Sequence, residues 1–278
     1  MILVTGANGI TGRKIIKALL SKNLKVRAFD LATQSESLKS LGVHEVCSGD
    51  LLDQDSIKQA MNGVKGIYHI PPAIHSKESL IGKTVVNAAC ESNIEHFVLH
   101  SVLHPQISAM PHHAAKLKTE ECLIESGLPF TIMQPTVYMQ NWQQRVKKGK
   151  LLIPWNLHTN MTMLDVEDLA EAVAIVFSEK ERHFGATYEL CGENLSIIKV
   201  AQIMSEELGE TIIAEQLPID IWKERVRKFL GENEIETLTK MNEHYNSRGL
   251  IGNTNVLNWL LGRSPGTYAE VVRREMKS

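Results

Sequence analysis

Short apolar runs alternate with amphipathic stretches through the first half of the chain. The first run is Ile2, Leu3 and Val4, and three glycines follow it. Then come Ile15, Ile16, Leu19 and Leu20 on one side of a helical projection, with Arg13, Lys14, Lys17 and Lys22 elsewhere. The pattern predicts a buried strand, a tight turn and a helix. Runs at 25–29, 43–47, 66–70, 97–100 and 130–133 predict five more strands. Periodic segments at 57–61, 79–90 and 111–127 predict helices between them, and the polar stretch 32–41 predicts a turn or two of helix. A strand–helix unit repeated about six times predicts an α/β fold, a parallel sheet with right-handed crossovers and helices on both faces.

Beyond Pro135 the rhythm changes. Residues 137–147 read as a helix with Trp142 and Val146 inward, and 151–153 and 161–164 as short strands. Asp165 opens a helix to Ser178, and 186–190 reads as a strand, 197–208 as a helix and 211–216 as a strand. The remainder, 219–277, reads as helix in pieces, with starts at Asn253 and Thr267. This predicts a core over 1–135, joined again by segments near 160–190, and a smaller C-terminal α+β lobe formed mainly by 136–278. Such a lobe would lie over the strand ends, where substrate pockets form.

The three glycines sharpen the picture. Gly6, Gly9 and Gly12 stand between a predicted strand and a predicted helix. That is the context in which a glycine pattern marks a dinucleotide site, although the spacing is Gly-x-x-Gly-x-x-Gly rather than the commoner Gly-x-Gly-x-x-Gly. Gly6 lets the chain turn, Gly9 lets backbone approach a bound group, and Gly12 lets helix and strand pack closely. The helix N-terminus then faces a pyrophosphate. The doubly wound sheet is therefore expected to be Rossmann-like, with Asn8, Ile10 and Thr11 in the phosphate loop. Asp30 ends the second strand 18 residues past Gly12, close to the ~20 at which a carboxylate reads the adenosine ribose, or else it caps the following turn. It would repel a 2′-phosphate, and Leu31 follows where an NADP-binder often has arginine, so NAD is favoured over NADP. Asp50, with Leu51, is placed to meet the adenine amino group or to start a turn. Ile70, Pro71 and Pro72 end the fourth strand abruptly and Pro135 ends the sixth, all beside the expected cofactor.

Composition adds mainly exclusions. The 278 residues are 43% hydrophobic, ample for one large core, and the net charge of −2 gives no electrostatic case for nucleic acid. The basic stretch 145–150 reads as a solvated helix end. No apolar run reaches the ~18 residues of a membrane span. The first residues enter a strand directly, so no signal peptide is expected. Four scattered cysteines (Cys47, Cys90, Cys122, Cys191) argue against zinc and disulfides and fit a reducing cytoplasm.

Several motifs together carry a resemblance: Val4-Thr-Gly-Ala-Asn-Gly-Ile-Thr-Gly12, Gly49-Asp-Leu51, Ile70-Pro-Pro72, His112-x-x-x-Lys116, Thr131-Ile-Met-Gln-Pro135, Leu164-Asp-Val-Glu-Asp-Leu169 and Gly185-Ala-Thr-Tyr-Glu-Leu190. The chain resembles the NmrA-like atypical members of the short-chain dehydrogenase/reductase superfamily, including the bacterial NAD(P)H:quinone oxidoreductase type. The resemblance covers nearly the whole chain and is weakest over about 218–252. It implies a serine, and a tyrosine and lysine spaced Tyr-x-x-x-Lys on one helix face. The lysine holds the nicotinamide ribose, and the tyrosine passes a proton to the substrate oxygen.

Here Lys116 matches and Ser101 lies at the matching strand end, but His112 occupies the tyrosine position. His112 reads as a general acid suited to neutral pH, as a capping or surface residue, or as a pocket wall. Tyr138 is a second acid candidate. Three functions follow. The first is an oxidoreductase using NAD or NADP to reduce a quinone or similar small carbonyl. The second is a non-catalytic redox sensor that binds a partner protein. The third, an epimerase-like sugar-nucleotide enzyme, is disfavoured because those keep the tyrosine.

Overall fold

The computed structural model describes residues 1–31 and 35–276. The part of the predicted helical segment at 32–34, and the last two residues, lie outside the described residues.

Seven parallel strands form the central sheet. They are β1 (Ile2–Thr5), β2 (Val26–Asp30), β3 (Glu45–Ser48), β4 (Gly66–His69), β5 (His96–His100), β6 (Phe130–Pro135) and β11 (Ala186–Leu190). The order across the sheet is β11-β6-β5-β4-β1-β2-β3, all parallel. β1, β4, β5 and most of β6 are buried on both faces, so they read as continuous apolar runs rather than alternating ones. The strand order reverses between β1 and β4, and a crevice opens there at the carboxyl ends.

Helices cover both faces. α1 (Ile10–Ser21), α6 (Val166–Glu179) and α10 (Asn255–Leu261) pack on one, around Ile15, Leu19, Val173 and Phe177. α3 (Gln54–Met61), α4 (Glu78–Cys90) and α5 (Pro111–Glu125) cover the other, around Phe29, Ile57, Val85 and Leu123. α2 (Ser35–Lys39) packs near β3. α4 and α5 approach unusually closely, since a Cβ on Gly82 would lie 2.1 Å from the Thr119 hydroxyl. That contact fixes what faces what one turn further toward the helix N-termini.

Beyond β6 the chain builds the lobe. β7 (Val137–Tyr138) pairs with β10 (Asn160–Leu164), which pairs with β12 (Glu193–Ser196). β8 (Val146–Lys147), β9 (Lys150–Ile153) and β13 (Ile213–Gln216) form a second small sheet. α7 (Ile197–Leu208), α8 (Ile219–Val226), α9 (Glu232–Arg248) and α11 (Tyr268–Met276) complete the lobe. Its core gathers Trp142, Trp155, Met163, Val200 and Val271.

The expected helix over 137–147 is not formed. That stretch is β7, two 3-10 turns and β8, followed by a hairpin. Lys148 (φ +51°) and Gly149 (φ +71°) both take left-handed backbone, the signature of a two-residue turn that joins β8 to β9. Pairing of Val137 and Tyr138 with Met163 and Leu164 outweighs the helical spacing of Trp142 and Val146. The basic stretch is therefore no helix end, and Arg145 lines a cavity.

Candidate active site

The glycine loop follows directly from its residues. Gly6 has φ +60°, open to glycine at little cost, and turns the chain off β1. A Cβ on Gly12 would lie 2.3 Å from the Gly6 carbonyl oxygen, so no other residue lets α1 pack this close. Gly9 differs, because its Cβ would meet only Gly6 O at 3.4 Å, an ordinary contact. Protein packing does not demand glycine there, whereas a pyrophosphate laid against the loop would. Gly9 is the N-cap of α1 and no side chain caps that end, so its N-terminal dipole is left for an anion. These features fit a dinucleotide.

A cavity of about 800 Å³ begins at this loop and runs over the sheet's carboxyl ends into the lobe. It gathers Gly6, Gly9, Thr11, Asp30, Asp50 and Leu51 at one end. Ile70, Pro71, Pro72, Ser101, His112, Lys116, Pro135 and Tyr138 line its middle. Asn8, Ile10 and Gly12 are not on its wall. Asn8 instead links the loop to β2, its N–H donating to Asp30 Oδ2 (2.8 Å), while Leu31 N–H donates to Asp30 Oδ1 (2.8 Å). Arg13 Nη1 donates to Asn8 Oδ1 (2.9 Å) and Ser37 Oγ (2.9 Å), which brings a guanidinium beside the glycine loop. Asp50 Oδ1 accepts from Leu52 N–H (2.9 Å) and so also starts the turn before α3.

The middle of the cavity holds two buried polar clusters. In the first, the α4–α5 contact at Gly82 and Thr119 places Glu78 opposite His112 and Lys116, which stand four apart on one face of α5. Glu78 Oε2 meets His112 Nδ1 at 2.9 Å, and its Oε1 meets Lys116 Nζ at 3.2 Å. Lys116 Nζ also donates to the His100 carbonyl (3.2 Å). Burial pushes the Glu78 carboxyl up, but Lys116 and His112 outweigh it and hold its pKa below the usual value. Burial pulls Lys116 below its usual value, opposed by Glu78. With Nδ1 directed to Glu78, His112 is left Nε2 for a ligand.

In the second cluster Ser101 Oγ donates to Glu120, and Gln134 Nε2 donates to both Glu120 oxygens (2.9 and 3.1 Å). Burial raises the Glu120 pKa, opposed by Ser101 and Gln134. Nearby, His100 bridges two tyrosines, with Tyr68 hydroxyl at 2.7 Å from Nδ1 and Tyr138 hydroxyl at 3.0 Å from Nε2. Burial holds His100 far below its usual pKa, so it bridges as a neutral ring. Burial likewise keeps Tyr138 protonated, its hydroxyl also in contact with the Thr11 side chain.

Sequence reasoning missed Glu78, Arg13 and the lobe wall. The one signal for Glu78 is negative: a buried lysine four residues from a histidine needs an acid, and that acid lies 38 positions from Lys116 in sequence (116 − 78). At the lobe end the wall is aromatic, with Trp155 and Tyr245 edge-to-face at 5.5 Å and Arg145 over Trp142. Among the described residues no cluster is arranged to hold a metal ion, and no helix is long and apolar enough to cross a membrane.

Comparison with known proteins agrees with this architecture. An NAD(P)H azoreductase of Xenophilus azovorans is 25% identical over 98% of this chain and 97% of its own. An NADPH-dependent quinone oxidoreductase of Escherichia coli, solved with NADPH, superposes with a TM-score of 0.85 at 22% identity, covering 99% of this chain and 100% of that one. The negative transcriptional regulator Nmra, solved with NAD, gives a TM-score of 0.79 at 18% identity over 99% of this chain and 95% of that one. The sequence matches the NmrA-like family over residues 1–265, so the chain belongs to that family.

Proposed function

We propose that the chain is an NAD(P)H-dependent reductase that delivers a hydride to a quinone or a similar small carbonyl acceptor. One observation carries this reading. A single cavity runs without a break from the glycine loop, past Lys116 and His112, to an aromatic chamber large enough for a flat acceptor. The azoreductase and quinone oxidoreductase relatives support it by their chemistry.

A reduced nicotinamide cofactor, when bound, would supply the hydride. Gly6, Gly9 and Thr11 would hold the pyrophosphate against α1, Asp30 the adenosine ribose, Asp50 the adenine, and Lys116 the nicotinamide ribose. Ile70, Leu51, Pro71, Pro72 and Pro135 shape the groove and exclude water. His112, oriented by Glu78, presents Nε2 to the acceptor oxygen and gives up a proton there as hydride arrives at the acceptor. A hydroquinone anion is also protonated by solvent, so His112 accelerates the reaction without being indispensable. Tyr138 and Ser101 hold the surrounding hydrogen bonds rather than exchanging protons.

Asp30 favours NADH by repelling a 2′-phosphate, whereas Arg13 stands close enough to answer one. The carboxylate is the stronger determinant here because it sits at the strand end itself.

The test is binding and oxidation of NADH and NADPH with a panel of quinones and aldehydes. Oxidation with a quinone supports the reductase. Binding of either cofactor without oxidation by any acceptor overturns it and favours the second reading, a dinucleotide sensor. That alternative has one specific observation behind it, the histidine in place of the tyrosine at position 112.

A further inference from the structure

The lobe end of the cavity carries a cation that no carboxylate among the described residues pairs with. Arg145 lines the wall there, with its Cζ 5.3 Å from the centre of the Trp142 ring and 5.9 Å from that of Trp155. It is solvent-accessible, yet no described carboxylate forms an ion pair with it. Lys116 on the same wall is paired with Glu78, and Arg13, off the wall beside the loop, bonds Asn8 and Ser37. Among the described residues the carboxylates on the cavity wall are Asp30 and Asp50, at the opposite, glycine-loop end. Protein crowding around Arg145 lowers its pKa, opposed by Tyr245, and the guanidinium remains a cation at any ordinary pH.

Two neighbours show the same imbalance. Trp155 Nε1 and Asn242 Nδ2 are buried donors without an acceptor among the described residues, and both residues belong to this wall. Burying donors without acceptors is costly, and native proteins leave few such groups. The walls around them are otherwise apolar and aromatic. Leu238, Met241, Asn242 and Tyr245 recur at helical spacing on one face of α9, which lies along the chamber. A chamber with flat apolar walls, an unmatched guanidinium and no carboxylate suits an aromatic ring carrying a negative group.

We propose that this chamber is an anion subsite, in which Arg145 pairs with a sulfonate or carboxylate on an aromatic acceptor whose ring lodges beside Trp155, Tyr245 and Met241. The inference deepens the reductase reading above and rests on it. The guanidinium anchors the far end of the acceptor and turns its reducible carbonyl toward His112 and the cofactor end. Guanidinium–anion pairs of this kind are bidentate and orient as well as attract.

The test compares two quinones with the same ring system, 1,4-naphthoquinone-2-sulfonate and neutral 2-methyl-1,4-naphthoquinone. Both are titrated calorimetrically into the full chain saturated with oxidised cofactor, so that no turnover intervenes. The expected result is at least about tenfold tighter binding of the sulfonate, the range of one charge-assisted hydrogen-bonded pair. In Arg145→Gln the ratio of the two affinities falls to about one, and in Arg145→Lys part of the preference remains. Equal affinities in the unaltered protein overturn the proposal with no variant needed, and so does a sulfonate preference that survives Arg145→Gln. Steady-state turnover separates this outcome from the parent reading. If neither quinone oxidises NADH or NADPH while the Arg145-dependent preference persists, the reductase reading falls and the anion subsite stands. If both turn over without a sulfonate preference, the subsite falls and the reductase stands.

Discussion

Glu78 holds two cationic or proton-bearing groups in place from a position that is itself 1% exposed. Replacing it by Gln keeps the shape and removes the charge. Two effects should follow together. Lys116 becomes a buried cation without a counter-ion, which costs about 3 kcal/mol and lowers the denaturation midpoint. His112 loses the acceptor that fixes its Nδ1–H, and quinone turnover falls by about tenfold or more. Unchanged midpoint and unchanged turnover in Glu78→Gln would remove the residue from both roles. At the other end of the cavity, Asp30→Ser deletes the charge that we propose opposes a 2′-phosphate and leaves Arg13 in place. Titration of both cofactors should then show the preference moving about tenfold toward NADPH. An unmoved ratio would mean that Asp30 only ties β2 to Asn8.

At the scale of elements, α1 and its loop allow a sharp prediction. Gly12→Ala drives a methyl to 2.3 Å from Gly6 O, so the loop and α1 must separate. Cofactor affinity should drop at least tenfold, read by quenching of protein fluorescence on titration with NADH. Full affinity in the variant would show that the loop does not depend on that contact. This element was legible because local chemistry dictates it: an apolar run, three glycines and an amphipathic helix adjoin in sequence. The sheet was legible for the same reason, its buried strands showing as apolar blocks. The segment after β6 was not. Its apolar spacing suits a helix, but distant partners decide its state, β10 for β7 and β9 for β8. The candidate site divides in the same way. His112 and Lys116 share a helix and stand out by spacing. Glu78 reaches them only through the α4–α5 contact, and Arg145 and Tyr245 reach the cavity only after the lobe has closed over the strands.

For the whole molecule, three buried histidines couple folding to acid. Burial lowers His69 to about 3 and His96 and His113 to about 4, against 6.5 unfolded. Depressed folded-state values mean that the unfolded chain binds protons first. Their contribution is therefore complete above about pH 6.5 and is lost as pH falls toward 4, on the order of 2–3 kcal/mol each. Urea unfolding at pH 7 and pH 5 should show a clearly lower midpoint at pH 5, and an unchanged midpoint would mean that these rings become charged without unfolding. A single-turnover experiment tests directly whether the long cavity brings reduced nicotinamide and quinone together. The complex of the chain with NADH, or with NADPH, is mixed rapidly with 2-methyl-1,4-naphthoquinone, and the reduced-nicotinamide absorbance is followed. First-order loss of that absorbance is expected, at a rate that saturates with quinone and falls about a hundredfold in His112→Phe. Stable absorbance from a complex that demonstrably holds the cofactor would contradict it.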